Sequence, residues 1–317
     1  QDIAITQFFP PHVYLVLFLV GLPGQYLFGV ASMTMSAVIA TYAFGLLYFA
    51  ATGVYFFYDS YIPVAVFLGM HLLFTDPSTA PRSEVARIMF GVLYGLSTVA
   101  LYALLGYAGV PTFYDKLLFV PVLNLSVQLL DRLTLARWLR QFERVAFGRS
   151  RSQPQRNLAY IVVWAAVFSV MSTVQGVGDR HPGQWVPFWQ EACSQGRTYA
   201  CSYLADMQET YCRSGSGWAC NEAGILHVAL ARSGQDRRRL DPVDAAGTLG
   251  RGCDLGFGPA CQNVARLASG FNSFEHGQPT LQDYPIILRG TKGPITDRSP
   301  AALYARACNQ GWDNTCR

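Results

Sequence analysis

The chain has 317 residues, of which 51% are hydrophobic and only 14% charged, with a formal net charge of +4. Soluble domains carry about a quarter of charged residues, so this composition excludes a protein that is soluble throughout. The positive excess sits in one short stretch, residues 132–156, beside an apolar run, so it reads as topogenic charge touching lipid and not as a nucleic-acid surface.

Residues 1–131 hold three basic side chains, Arg82, Arg87 and Lys116, and read as a membrane body of about five transmembrane helices. Residues 12–58 carry no charge, and forty-seven helical residues are too many for one crossing. The first span is expected from about His12 to Val30, interrupted by Gly21, Pro23 and Gly24, which lipid tolerates only where neighbouring helices or water satisfy the freed backbone groups. The second runs from about Met35 to Tyr58. Its small residues Ala43, Gly45, Ala50, Ala51 and Gly53 suit close helix packing, and Tyr55, Phe56, Phe57 and Tyr58 suit an interfacial aromatic belt. A short third segment covers Tyr61 to Phe74. A fourth covers about Val85 to Tyr107, with Gly91, Gly95 and Ser97 on a small-residue stripe, and a fifth covers about Phe113 to Leu130.

Between the third and fourth segments lies Thr75-Asp76-Pro77-Ser78-Thr79-Ala80-Pro81. An aspartate before proline ends an incoming helix, because the pre-proline residue is pushed out of the α region. Ser83 and Glu84 are suited to start the next helix. Thr75, Asp76 and Thr79 are the candidate cofactor-binding residues of the body, against the plainer reading of a structural turn whose aspartate accepts backbone N–H groups. His71 lies one helical turn before Thr75 and is a haem-ligand candidate without an obvious axial partner. Asp115 and Asp131 read as interfacial residues.

The connector 132–156 contains seven arginines, Arg132, Arg137, Arg140, Arg144, Arg149, Arg151 and Arg156, opposed only by Glu143. Residues 157–178 follow without a charge, and about twenty apolar residues cross a bilayer, so they form the last span. Arginine-rich loops stay in the cytoplasm, so this helix runs from inside to outside. Counting back gives six spans with both termini outside and the Thr75–Arg87 loop in the cytoplasm. An exterior Gln1 suits a cleaved signal peptide.

The stretch Leu68–Arg132 resembles the closing third of the D subunit of the bacterial Rnf electron-transport complex and of the B subunit of the sodium-translocating NADH:quinone oxidoreductase. The points of likeness are Thr75-Asp76-Pro77, Thr79-Ala80-Pro81, Arg87 ahead of Phe90-Gly91, Gly95, and Asn124 followed by Asp131-Arg132. The resemblance implies a subunit of a multi-protein membrane redox machine whose members hold flavin and are linked to ion movement. Those subunits have about ten spans, and only their second half has a counterpart here. Their covalent flavin hangs on a threonine in a Ser-x-Ala-Thr type motif. The nearest sequence, Ser36 to Thr41, has another spacing, so covalent flavin is not expected, while noncovalent flavin or quinone near Asp76 and the Gly95 face stays open.

Residues 179–317 are a soluble domain with charges of both signs and all eight cysteines, placed as Cys193 and Cys201, Cys212 and Cys220, Cys253 and Cys261, and Cys308 and Cys316. Each pair encloses seven residues with glycine among them, which marks an internal repeat. A helix ending on the first cysteine, a glycine turn and a helix starting near the second would bring the sulfurs together across an αα-hairpin. Local disulfides agree with an exterior compartment. Neither Cys-x-x-Cys-His nor Cys-x-x-Cys occurs, so c-type haem, zinc and thioredoxin-like chemistry are not expected. Ala305-Arg306-Ala307-Cys308 to Cys316 and Arg251-Gly252-Cys253 to Cys261 resemble the Sel-one-like, tetratricopeptide-related repeats of secreted bacterial cysteine-rich proteins. Residues 271–299 look like an insertion, and His227 and His276 like surface or packing residues.

The expected fold class is therefore all-α, about six transmembrane helices followed by a disulfide-stapled αα-hairpin solenoid. The chain is read as a bacterial inner-membrane protein with its C-terminal domain in the periplasm. No nucleophile, paired-carboxylate site or phosphate loop is legible. The leading functional expectation is a scaffold subunit of a membrane electron-transport complex, whose repeats dock partners such as a periplasmic cytochrome or another redox domain. The other is a redox or ion-translocating subunit with noncovalent flavin or quinone.

Overall fold

The computed structural model describes residues 13–73, 75–76, 80–108, 119–134, 136, 139, 141, 153–174, 181–233, 242–288 and 297–316. The chain forms two compact units, one of residues 1–50 and 55–181, the other of residues 51–54 and 182–317. All regular structure among the described residues is helical.

In the first unit, α1 (Val13–Phe28) is one continuous helix with Pro23 inside it, so the expected interruption at Gly21, Pro23 and Gly24 does not occur. A left-handed Gly29 (φ +66°) then turns the chain into α2 (Ala31–Thr52). That helix begins earlier and ends earlier than the sequence suggests, because Gly53 is also left-handed (φ +69°). The third segment is helical only as α3 (Val64–Leu68) and a π-helical turn, Gly69–Leu73. It is followed by α4 (Glu84–Ala108), α5 (Phe119–Thr134) and α6 (Gln153–Val174). Residues 113–118 of the expected fifth span and 175–178 of the expected sixth lie outside the described residues. The arginine connector is shorter than 132–156 at both ends, since α5 reaches Thr134 and α6 starts at Gln153. Among the described residues three helices, α2, α4 and α6, are long and apolar enough to cross a membrane.

Side-chain contacts fix the helix directions. Gly91 of α4 lies against Met33 and Ser36 of α2, and Gly95 lies against Ala37 and Thr41. Both numbers rise together, so α2 and α4 run parallel and the chain must return along the body between them. α3 makes that return beside α1: Tyr14 Oη donates to the Ile62 carbonyl at 2.6 Å, and His71 lies against Gly21. α6 opposes α1, with Asn157 Nδ2 donating to the Tyr26 carbonyl at 2.9 Å and Phe168 stacked on Phe18 at 4.1 Å. α5 ends where α4 begins, since Asp131 accepts from the Arg82 N–H at 3.0 Å.

The helical part of the return stops level with Gly21, whereas Arg87 bonds the Gly29 carbonyl at 2.9 Å. Gly21 and Gly29 are eight positions apart, a distance of about 12 Å in helical chain. Thr75, Asp76 and residues 80–83 are non-helical, and the last residues of the expected Thr75–Arg87 loop, from Glu84 on, already belong to α4.

The core of this unit includes Phe18, Met33, Phe67, Met70, Phe90, Tyr94, Trp164 and Phe168. Its outer faces carry exposed Leu19, Val20, Leu96, Leu104, Leu125, Leu129, Val162 and Val170, as a surface in contact with acyl chains would. Of the expected aromatic belt, Phe56 and Tyr58 are half-buried. Tyr55 and Phe57 are buried, and Phe57 packs on Tyr102 at 5.0 Å. His181 is enclosed between Tyr55 and Tyr61, at 4.1 and 4.3 Å, and burial pulls its imidazole down to about 3, so it is neutral.

The second unit is built of α7 (Val186–Ser194), α8 (Ala200–Arg213), α9 (Gly217–Ser233), α10 (Pro242–Asp254), α11 (Gly258–Ala268), the one-turn α12 (Tyr284–Ile287) and α13 (Pro300–Asn309). The four disulfides join the expected partners, with Cα–Cα distances of 4.5 to 4.9 Å. Cys193–Cys201 links α7 to α8, Cys212–Cys220 links α8 to α9, and Cys253–Cys261 links α10 to α11. Cys308–Cys316 instead closes α13 onto a short 3₁₀ turn, Asp313–Thr315.

Each staple sits on the same helix end. Gly196, Gly215, Gly256 and Gly311, three residues after the first cysteine, all have φ between +66° and +101°. Their N–H groups donate to the carbonyls of Cys193, Cys212, Cys253 and Cys308, and the next residue's N–H donates to the carbonyl just before the cysteine. That is a Schellman cap, which satisfies carbonyls the helix leaves orphaned and requires the left-handed conformation that glycine adopts without cost.

Candidate functional site

Two of the three sequence-predicted site residues, Thr75 and Asp76, are among the described residues. Thr75 is buried and its hydroxyl donates back to the His71 carbonyl at 3.1 Å, which closes the end of the π-helical turn. Asp76 is exposed, and Thr79 lies outside the described residues. His71 is 2% exposed and places its Nδ1 2.8 Å from the Phe67 carbonyl oxygen.

The polar chemistry of the first unit gathers instead around Glu84, which is 3% exposed. Its carboxylate accepts from Ser32 Oγ at 3.0 Å and from Arg87 Nη1 at 3.0 Å, and Arg156 approaches to 3.8 Å. Arg87 also donates from Nε to the Pro81 carbonyl at 2.9 Å and from Nη1 to the Gly29 carbonyl. Ser83 donates to Thr134 Oγ1 at 3.0 Å and caps α4 by accepting from the Ala86 N–H at 3.1 Å, as expected of a residue before a helix. This cluster ties the α1–α2 turn to the starts of α4 and α6 and the end of α5. A buried carboxylate with cationic and hydroxyl partners persists because its desolvation is offset by them. The sequence offered Glu84 only as a helix starter and Asp131 only as an interfacial residue; their partners lie 52 and 49 residues away.

In the second unit a groove runs along α9, lined by Ile225, Val228, Arg232, Asn272, Phe274 and His276. One wall is the irregular segment 271–280, the first part of the expected insertion 271–299, which is pinned to the helices by its backbone. Asn263 donates to the Glu275 carbonyl and accepts from the Glu275 N–H, both at 2.8 Å, and Asn221 donates to the same carbonyl at 3.0 Å. Glu222 accepts from the Gly277 N–H at 3.2 Å and meets His276 Nδ1 at 2.6 Å. Trp218 Nε1 donates to the Gly277 carbonyl at 2.8 Å. Asp283 then holds the segment's far end, accepting from Ser216 at 2.6 Å and from the Thr280 N–H at 2.8 Å. His276 is exposed, as expected of a surface residue, while its ring meets Glu222, and Arg232 lies over Phe274 with 5.9 Å to the ring centroid. The groove presents apolar side chains edged by Arg232 and His276.

The hydrogen bond and the charge of Glu222 raise the His276 pKa above 6.5, against a smaller opposing effect of burial. A raised folded-state pKa gives a contribution that is full below the unfolded value and is lost as pH rises through the folded one. The contact with Glu222 should thus loosen on the alkaline side of 6.5. Hydrogen exchange at Gly277 is expected to accelerate across that range beyond the intrinsic base-catalysed rise, and Glu222→Gln should abolish the excess. An excess that survives Glu222→Gln would refute the assignment.

All eight cysteines are in disulfides, and among the described residues no group of three or more His, Cys, Asp or Glu side chains is arranged to hold a metal ion. The chain is thus an all-α protein with helices suited to a membrane and a disulfide-stapled C-terminal region, and comparison with known proteins finds no family model, curated protein or solved structure that matches it.

Proposed function

We propose that this protein is a scaffold subunit of a multi-subunit bacterial electron-transport complex, anchored in the inner membrane, whose stapled helical hairpins dock a redox partner in the periplasm. The observation that carries the proposal is the run of hairpins with identical capped and disulfide-bonded turns, joined in one chain to a helical body with apolar outer faces. Stacked helix pairs hold other proteins in the grooves between them, and disulfides form where the compartment is oxidising. Six passages across the bilayer with both termini outside agree with the alternating helix directions and with the arginine connector on the cytoplasmic side. On this reading the third passage is part helix and part irregular chain. The resemblance of Leu68–Arg132 to membrane redox subunits supplies the electron-transport part of the reading, and the α9 groove is the docking surface for an acidic, partly apolar face of the redox partner.

The test is isolation of the full chain from its native membrane in mild detergent, with a photo-crosslinking residue in place of Ala229 in the groove. The expected result is co-purification with redox subunits and a cross-link from position 229 to an exported partner. A chain that purifies alone, or cysteine pairs that impermeant reagents find reduced in the cytosol, would overturn it. A flavin chromophore in the isolated chain would favour a redox subunit in its own right.

A further inference from the structure

The centre of the first unit contains polar atoms that its own packing does not satisfy. Gln25 of α1 is 1% exposed, and neither its Oε1 nor its Nε2 has a hydrogen-bond partner among the described residues. Trp164 of α6 is 0% exposed and its Nε1 has no acceptor among the described residues. His71 Nδ1 faces the Phe67 carbonyl, and a carbonyl only accepts, so Nδ1 carries the proton and the neutral ring keeps its lone pair on Nε2. That Nε2 is likewise without a partner.

These three side chains come from three helices to one place. A Cβ built on Gly21 would lie 3.1 Å from His71 Cδ2 and 3.2 Å from Gln25 Nε2, so both residues border the space that this glycine leaves. The His71 and Trp164 rings are 5.9 Å apart, and Phe18 and Phe67 close the cluster at 6.3 and 4.1 Å from the imidazole. The π-helical turn Gly69–Leu73 carries His71 there, and π turns in proteins are mostly single insertions at functional positions.

The donor and acceptor sets choose the occupant. His71 Nε2 and Gln25 Oε1 must be given protons, while Trp164 Nε1 and Gln25 Nε2 must donate them. A metal cation cannot accept from the indole, and an anion cannot donate to the imidazole. A neutral molecule with two donors and two acceptors answers all four atoms, and water is the smallest that has them.

We propose that Gln25, His71 and Trp164 bind a single water molecule inside the membrane body, at the end of its third helical segment, with His71 Nε2 as the acceptor of the water's proton. The site is then an exchangeable-proton station on a side chain that bulk solvent does not reach. It does not depend on the docking role proposed above.

The test uses the full chain, isotope-labelled at histidine and reconstituted in phosphatidylcholine bilayers. Solid-state nitrogen spectra of His71 are expected to show a protonated Nδ1 and a hydrogen-bonded, unprotonated Nε2 that receives magnetisation from water. An Nε2 with the shift of a free lone pair, a protonated Nε2, or a bonded Nε2 without water transfer would each overturn the proposal. A second measurement is the melting temperature of Gln25→Leu. It should fall, because the water loses two partners; a rise would mean that a dry, unsatisfied amide had been removed, and would overturn it as well.

Discussion

Gly91→Ala should destabilise the membrane body by about 3 kcal/mol, the upper part of the range for overpacking, although it adds one methyl group. The new Cβ would collide with the Met33 carbonyl oxygen and with Ser36 Oγ, which donates to that same carbonyl at 2.9 Å. A flexible side chain could swing aside, but the backbone of α2 cannot, so the two parallel helices must separate. Gly95 repeats the contact one turn later, with a Cβ position 2.6 Å from the Ala37 carbonyl oxygen. Gly106 lies on the same helix, where an added Cβ meets nothing within 4 Å. Gly106→Ala should therefore stabilise by about 0.5–1 kcal/mol, since alanine loses less backbone freedom in a helix. Melting curves of the two variants in one detergent are expected to move in opposite directions. Equal shifts would show that α2 and α4 do not touch along this line.

Reduction of the disulfides should unfold the second unit and leave the first folded. Each bridge closes a loop with a sequence separation of 8. Such short loops contribute on the order of 2–3 kcal/mol apiece in the chain-entropy treatment. All four together contribute on the order of 10 kcal/mol, as much as the whole net stability of an ordinary domain. The first unit contains no cysteine, so its helices have nothing to lose. Limited proteolysis with and without reductant is the direct measurement: new cleavage should fall within 182–317 and spare α1 to α6. Cleavage that is unchanged by reductant would mean that packing alone holds the hairpins. The buried Trp189, Trp218, Tyr211 and Leu249 are the residues that would then have to supply the missing stability.

The cysteine spacing, the glycine between the members of each pair, the long uncharged runs and the arginine connector are all local properties. A residue and its partner eight positions on meet through one turn of chain, and glycine's left-handed conformation needs no distant neighbour, so the stapled hairpins could be read directly. The span α4, with no proline in its interior and small residues on one stripe, was legible for the same reason.

Other features depended on residues far away in the chain. Pro23 does not break α1, because packing against α3 and α6 holds that helix together. The third segment stops at a π-helical turn that its apolar pattern does not reveal. Glu84 finds Ser32 across 52 positions, His276 finds Glu222 across 54, and Asn263 finds Asn221 across 42. The sequence by itself determined which stretches are helical and apolar and which cysteines pair, since hydrophobicity and turn geometry act over a few residues. The tertiary structure alone decided where the buried polar groups meet, because a carboxylate, an imidazole or an amide is placed by whichever helix the fold brings opposite it.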